Sequence, residues 1–76
     1  MQLGKVRWYD AGVGRGIIDA DDGKVVFLPY HAIEGTDISR FQLTEKQRVE
    51  FDLTNEAFSF DGLTGQYRAT RMRPVK

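Results

Sequence analysis

The sequence predicts an all-β fold, a small five-stranded antiparallel β-barrel that forms one domain over residues 1–76. Short segments rich in β-branched and aromatic residues recur along the chain, and turns rich in glycine and aspartate separate them. No apolar repeat of helical period is long enough to predict a helix. Five short strands with turns between them are typical of a small barrel.

Composition excludes several other classes of protein. The chain contains no cysteine, so disulfides and thiolate metal sites are excluded, and its one histidine, His31, argues against a structural zinc site. No apolar segment is long enough to span a membrane, and the first residues lack the apolar core of a signal peptide. We therefore expect a cytoplasmic protein without a membrane, metal or cofactor partner. No catalytic constellation is present, so we expect no enzyme.

Charge gives only a weak indication of a partner. The 11 basic and 11 acidic side chains sum to a net charge of zero. Residues 34–66 carry seven acidic and three basic side chains, whereas residues 67–76 carry four basic side chains and no acidic one. This basic end either attracts an anionic partner weakly or is simply a solvated terminus.

The first half of the chain predicts three strands and a short helical turn. We expect the strands at residues 3–10, 15–20 and 24–28, the last ended by Pro29, which has no N–H for the ladder. Glycines in the segment 11–14 and the Asp-Gly pair at 22–23 supply the two turns between them. Residues 31–33 follow as a single helical turn.

The second half predicts two strands and two connections. Arg48–Leu53 alternates apolar and charged residues, as in a half-buried strand, and residues 66–73 form the last strand, stopped by Pro74. Residues 34–42 form a loop whose far end is anchored by Phe41 and Leu43. Residues 55–65 form a long connection. In it, Phe58 and Phe60 would share one face and either cap the open end of the barrel or form an exposed patch that recruits a partner or a second copy.

Several segments together match a known pattern in order and spacing. Gly4-Lys5-Val6-Arg7-Trp8-Tyr9 is similar to the opening strand Gly-Lys-Val-Lys-Trp-Phe of the bacterial cold-shock domain. The segments 22–23, 26–28, 32–35, 43–51 and 69–74 resemble later parts of the same family pattern. The resemblance covers nearly the whole chain and implies the five-stranded barrel of the oligonucleotide-binding (OB) fold, which binds single-stranded nucleic acid.

The chain departs from that family where the family carries binding residues. The family motif Lys-Gly-Phe-Gly-Phe-Ile corresponds here to residues 13–18, in which Val13, Arg15 and Ile17 replace the basic residue and both aromatic residues. Pro29 replaces the histidine of the motif Val-Phe-Val-His-Phe. A phenylalanine in the following loop has no clear counterpart, although Ile38 or Phe41 is a candidate. The connection before the last strand is about seven residues longer than the family's.

The resemblance implies a site in which bases stack on aromatic rings and basic groups neutralise phosphates. Alternate residues of the first three strands share the outer face of a barrel, which predicts that Ile17 and several of the implied binding residues cluster there. The predicted nucleic-acid-binding residues are Arg7, Trp8, Arg15, Phe27, Tyr30, His31, Tyr67 and Arg68.

Two functions follow from this set. We expect a monomer or weak homodimer that binds single-stranded RNA or DNA in an RNA-chaperone or gene-regulatory role. Loss of two stacking rings costs about 2–6 kcal/mol, or roughly 30-fold to 10⁴-fold in affinity, unless the Arg15 guanidinium stacks on a base or pairs with a phosphate. The alternative is a degenerate barrel with half-buried rings at Trp8, Phe27 and Tyr30, whose former ligand face serves protein interaction or dimerisation.

Two other motifs point to weaker alternatives. The glycines of Gly12-x-Gly14-x-Gly16 resemble a phosphate-binding loop, but no helix and no Lys-Ser/Thr pair follows them. The acidic residues of segment 19–23 resemble half a calcium loop, but the bidentate glutamate and the flanking helices are absent, which favours a hairpin turn. His31 is either a surface or capping residue or part of the nucleic-acid edge.

Overall fold

The computed structural model describes residues 1–10, 12–34, 46–60 and 62–75, and of Phe60 only the backbone. The strands are β1 (Gln2–Asp10), β2 (Arg15–Ala20), β3 (Val25–Pro29), β4 (Arg48–Phe60) and β5 (Leu63–Pro74). One 3-10 turn, Tyr30–Ala32, follows β3 directly, one residue earlier than expected. No helix in the described part of the chain is long and apolar enough to cross a membrane.

The five strands close into a barrel in the order β1-β2-β3-β5-β4, which confirms the predicted barrel. Four of the pairings are antiparallel, but β3 and β5 run parallel, with Val26 opposite Tyr67 and Phe27 opposite Arg68. The predicted antiparallel arrangement holds for these four pairings, and the β3–β5 pair is the exception. A closed ring of five strands cannot reverse direction at every pairing, because five is odd, so one pair must be parallel.

Apolar side chains fill the interior of the barrel. Val49 and Phe51 of β4 are fully buried, and Arg48, Glu50 and Asp52, which alternate with them, are partly exposed, which confirms the predicted half-buried strand. The buried cluster comprises Val6, Ile18, Ala20, Val26, Leu28, Ala32, Ile33, Val49, Phe51, Ala69 and Met72. A chain this short buries only about 60% of its unfolded surface, so this small core gives limited stability.

Aspartate and glycine form the two turns of the first half, as predicted. The carboxylate of Asp10 accepts hydrogen bonds from the N–H groups of Gly12 (3.0 Å) and Val13 (3.3 Å). Gly14 closes this turn at φ 83°, and Gly23 closes the β2–β3 turn at φ 95°. Positive φ is readily accessible to glycine and costly for other residues, which explains their place in the sequence.

The predicted long connection at residues 55–65 is wrong. These residues extend β4 and β5 into a hairpin in which Phe58, Ser59 and Phe60 pair with Gly65, Thr64 and Leu63. A register shift between Asn55 and Phe58 adds an extra residue to β4, and pairing resumes beyond it. The predicted loop from residue 35 onward, with its candidates Ile38, Phe41 and Leu43, lies outside the described residues.

Candidate nucleic-acid interface

One row of side chains crosses the outside of four neighbouring strands. Trp8 of β1 pairs with Ile17 of β2, Ile17 pairs with Phe27 of β3, and Phe27 pairs with Arg68 of β5. Residues that oppose each other across a sheet point to the same side of it. We call Trp8, Ile17, Phe27 and Arg68 the outer row.

A bulge in β1 places Trp8 in this row. The register shifts between Val6 and Trp8, so Val6 faces the interior opposite Ile18, and Arg7 is the extra residue. The Arg7 side chain contacts Asp19, which lies two residues after Ile17 in β2 and therefore shares its face. Arg7 and Trp8 thus lie on the same outer side of the barrel although they are consecutive.

The middle of the outer row is covered. Trp8 and Phe27 are half-buried, whereas Ile17 between them has no exposed surface and does not belong to the interior cluster. Ile17 therefore lies on the predicted face but is sealed from solvent there. The chain keeps two rings of the face and fills the gap between them with an aliphatic side chain.

Phe58 joins this face from the β4–β5 hairpin. Its ring centroid lies 5.6 Å from that of Phe27, with 33° between the ring planes. A Cβ at Gly65, the strand partner of Phe58, would lie 2.6 Å from Cζ of the Phe58 ring, so the ring lies across the bare backbone of that glycine. Neither role predicted for Phe58, a cap on the open end of the barrel or an exposed patch that recruits a partner or a second copy, includes this contact with Phe27.

The start of β2 and the turn after β3 place three more predicted residues beside the row. Arg15 opposes Pro29 and precedes Ile17 by two positions, so it extends the outer face of β2. The N–H of Tyr30 donates to the carbonyl of Gly14 at 2.9 Å, which fixes Tyr30 against the β1–β2 turn. Tyr30 is 49% exposed, and its ring meets that of the exposed His31 edge-on at 6.1 Å between centroids.

Tyr67 is placed differently from the other predicted residues. It opposes Val26, an interior residue, and packs partly against the buried cluster. The ammonium group of Lys24 lies 5.6 Å from its ring centroid. The structure therefore brings Arg68 into the outer row but sets Tyr67 on the other side of β5.

Two cations at the outer row, Arg7 and Arg68, have carboxylate partners. Nε and Nη2 of Arg7 donate to the two carboxylate oxygens of Asp19 at 2.9 and 2.6 Å, and these hydrogen bonds raise the pKa of Arg7. Nε of Arg68 lies 2.8 Å from Oε2 of Glu56. A phosphate that binds either guanidinium must compete with a carboxylate. Local sequence gave no sign of these pairs, because the Arg7–Asp19 and Glu56–Arg68 contacts depend on strand register.

Two surface pockets adjoin the face. The larger, about 460 Å³, is lined by the cations Lys5, Arg7 and Lys46 and by the carboxylates Asp19 and Asp21, so its charges nearly balance. The smaller, about 290 Å³, lies at the base of the hairpin between Asn55 and Tyr67. Within the described ranges, no group of three or more potential ligands is arranged to hold a metal ion.

Comparison with known proteins identifies the family. A family model described as the 'Cold-shock' DNA-binding domain matches residues 2–60. The chain belongs to this family. Cold shock-like protein CspB of Yersinia pestis is 47% identical over 51 residues, which cover 66% of this chain and 70% of that protein. Cold shock-like protein CspE of Escherichia coli K12 is 42% identical over 55 residues, covering 71% and 77%. Cold shock-like protein CspC of Bacillus cereus is 39% identical over 54 residues, covering 71% and 80%.

The cold-shock match covers the outer row unevenly. It includes Trp8, Ile17 and Phe27 but ends at residue 60, so Gly65 and Arg68 lie beyond it. The family assignment therefore accounts for the barrel and for the first three members of the row. The part of the face that β5 supplies is known only from the structure of this chain.

Proposed function

We propose that this protein binds single-stranded RNA or DNA by stacking bases on the outer row. The observation that supports this is the register of Trp8 and Phe27. Their half-buried rings lie on one face and are separated only by the covered side chain of Ile17. Stacking on such rings is tolerant of base sequence, because every base has a π-face.

The surrounding residues have separate proposed roles. Arg15, Tyr30 and His31 lie where a strand leaving the row would pass the β1–β2 turn, and Arg7 and Arg68 supply charge for phosphates. Tyr67 supports the row from the inner side of β5, where it packs against the buried cluster. The role is that of an RNA chaperone or gene regulator in the cytoplasm, without catalysis.

We propose that binding is altered relative to the family. Arg15 and Ile17 occupy positions where the family pattern has aromatic rings, and the cations at Arg7 and Arg68 already have carboxylate partners. Stacking then contributes most of the affinity, and fewer counterions are released from the nucleic acid than by a strongly basic domain. The affinity will therefore depend only weakly on salt concentration.

Fluorescence of Trp8, the only tryptophan, tests the proposal directly. A short thymine-rich or uracil-rich single strand is titrated at two salt concentrations, with circular dichroism as the control for folding. We expect saturable quenching that weakens modestly with salt. An intact barrel that shows no quenching at low salt would contradict the proposal.

A second candidate function is association with a protein partner or a second copy of the chain. Val13 and Tyr30, 60% and 49% exposed, lie on either side of the Gly14–Tyr30 hydrogen bond. A partner surface could cover both side chains. Sedimentation equilibrium of the wild type and of Val13→Ser tests this. Self-association that the variant loses supports it, whereas a wild type that stays monomeric at high concentration excludes self-association.

A further inference from the structure

We propose that Phe58 is an additional stacking position, so that the β4–β5 hairpin holds a base next to the one on Phe27. This inference rests on the proposed function and names a residue beyond it. It makes the hairpin, which the sequence analysis took for a connection, part of the ligand-binding surface.

Glu56 of β4 and the Phe58 ring itself both contact the outer row. Thr54 opposes Arg68, a member of the outer row, and the carboxylate of Glu56 pairs with the Arg68 guanidinium. Phe58 lies two residues further along the same strand. The register shift between Asn55 and Phe58 interrupts the alternation of faces along β4, so alternation alone does not place Phe58. Its ring is placed at the outer row by its contact with Phe27, at 5.6 Å between the ring centroids.

The position of the ring follows from Gly65. The absence of a side chain at Gly65 lets the Phe58 ring lie across the β5 backbone and reach Phe27. A centroid separation of 5.6 Å with tilted planes is within the range of ordinary aromatic contacts, which fixes the two rings relative to each other. The backbone of β5 supports one side of the ring.

The exposure of Phe58 matches that of the two rings in the outer row. Phe58, Trp8 and Phe27 are all partly exposed, whereas the aromatic residue of the interior, Phe51, is fully buried. Of the described side chains, those that are partly buried and pack against the interior cluster are Tyr9, Leu53 and Tyr67, and Phe58 is not one of them. Phe58 therefore gives the face a third ring, which offsets in part the absence of an aromatic side chain at Ile17.

The test compares three variants of the hairpin by Trp8 quenching. Phe58→Leu keeps an apolar side chain against Phe27 but removes the ring. We expect its affinity for a uracil-rich strand to fall about 5-fold to 150-fold, the range for one stacked base. Gly65→Ala keeps the ring but displaces it, and should weaken binding in the same direction. Ser59→Ala, an exposed neighbour of Phe58, is the matched control and should bind like the wild type.

A tryptophan at position 58 tests for direct contact with the bound strand, so the result does not depend on a change in the stability of the protein. In the double variant Trp8→Phe with Phe58→Trp, the only tryptophan reports on residue 58, and binding is followed separately by the anisotropy of a labelled strand. Quenching in step with binding supports the proposal. Binding without a change in this fluorescence overturns it, as does a folded Phe58→Leu protein that binds within twofold of the wild type. A wild type that binds no strand at all refutes the proposed function itself, so the two failures are distinguishable.

Discussion

The outside of the barrel has two surfaces of different chemistry. Around the outer row, aromatic rings are partly exposed and the nearby cations are paired with Asp19 and Glu56. Where β4 begins and β5 ends, the outer side chains are almost all charged. We call this second surface the charged face; it comprises Arg48, Glu50, Asp52, Arg71 and Arg73.

Ion pairs occur on both surfaces, so charge does not distinguish them. On the charged face, Arg73 pairs with Glu50, Arg71 lies 3.0 Å from Glu34, and Arg48 lies 2.8 Å from Asp21. The antiparallel pairing of β4 with β5 sets acidic residues of one strand against basic residues of the other. The basic end of the sequence is thus largely neutralised in the fold. What distinguishes the outer row is its rings.

The largest expected effect is on stability, and it shows whether the outer row also stabilises the fold. Ile17→Ala removes a side chain that is fully buried between Trp8 and Phe27. We expect the free energy of unfolding to fall by about 2–5 kcal/mol, because truncating a buried isoleucine leaves a cavity. Urea unfolding followed by Trp8 fluorescence measures this. Leu3→Ala removes an exposed apolar side chain next to the charged face and should change stability little. Equal effects of the two changes would contradict the comparison.

The next largest effect is on affinity, and it shows whether a single strand binds only at the outer row. Phe27→Leu removes one of the two aromatic rings of the outer row and should weaken binding of a single strand by about 5-fold to 150-fold. Quenching of Trp8 measures the affinity, and Leu3→Ala again serves as the control. A strand that binds the Phe27→Leu variant as well as the wild type would mean that the outer row is not the binding surface.

Strand positions were predictable because they depend on local patterns. The alternation of Arg48–Leu53 and the glycines at 14 and 23 gave the first three strands and the start of β4 to within about one residue. The family match at residues 2–60 then confirmed the barrel. Each of these features is encoded within a few consecutive residues.

Local patterns did not predict the β4–β5 hairpin, the burial of Ile17 or the carboxylate partner of Arg7. Polar residues and glycines between Asn55 and Gly65 are typical of a loop, whereas in the fold these segments pair as strands and Phe58 contacts Gly65 and Phe27. The burial of Ile17 depends on rings contributed by two other strands. The partner of Arg7 lies 12 residues away, across a bulge that shifts the register. These features depend on non-local pairing, which the sequence does not display.

A smaller effect is expected when one carboxylate is neutralised on each surface in turn. Glu56→Gln removes the partner of Arg68 beside the outer row, and Glu50→Gln removes the partner of Arg73 on the charged face. Both change the net charge equally. We expect Glu56→Gln to raise affinity for a single strand by about 1.4-fold to 5-fold, since an exposed ion pair contributes about 0.2–1 kcal/mol. It should also steepen the salt dependence, because Arg68 becomes available to phosphate. Glu50→Gln should leave both unchanged in the same titrations, and an equal gain from it would assign the effect to net charge alone.

The smallest expected effect is on how the stability depends on pH, through the Arg48–Asp21 ion pair beside the charged face. The hydrogen bonds from Arg48 lower the pKa of Asp21 below its ordinary value of 3.8, and this surface pair contributes only slightly to stability. Because the folded-state pKa is the lower one, this contribution is present above pH 3.8 and is lost as the pH falls through the folded-state value. Urea unfolding of the wild type and Asp21→Asn should therefore show a small stability difference at neutral pH that shrinks below pH 3.8. Binding of a single strand should be the same for both proteins, since Asp21 pairs with Arg48 of the charged face and not with a residue proposed to bind the strand. A difference in unfolding that persists unchanged into acid would mean that the Asp21 charge is not its source.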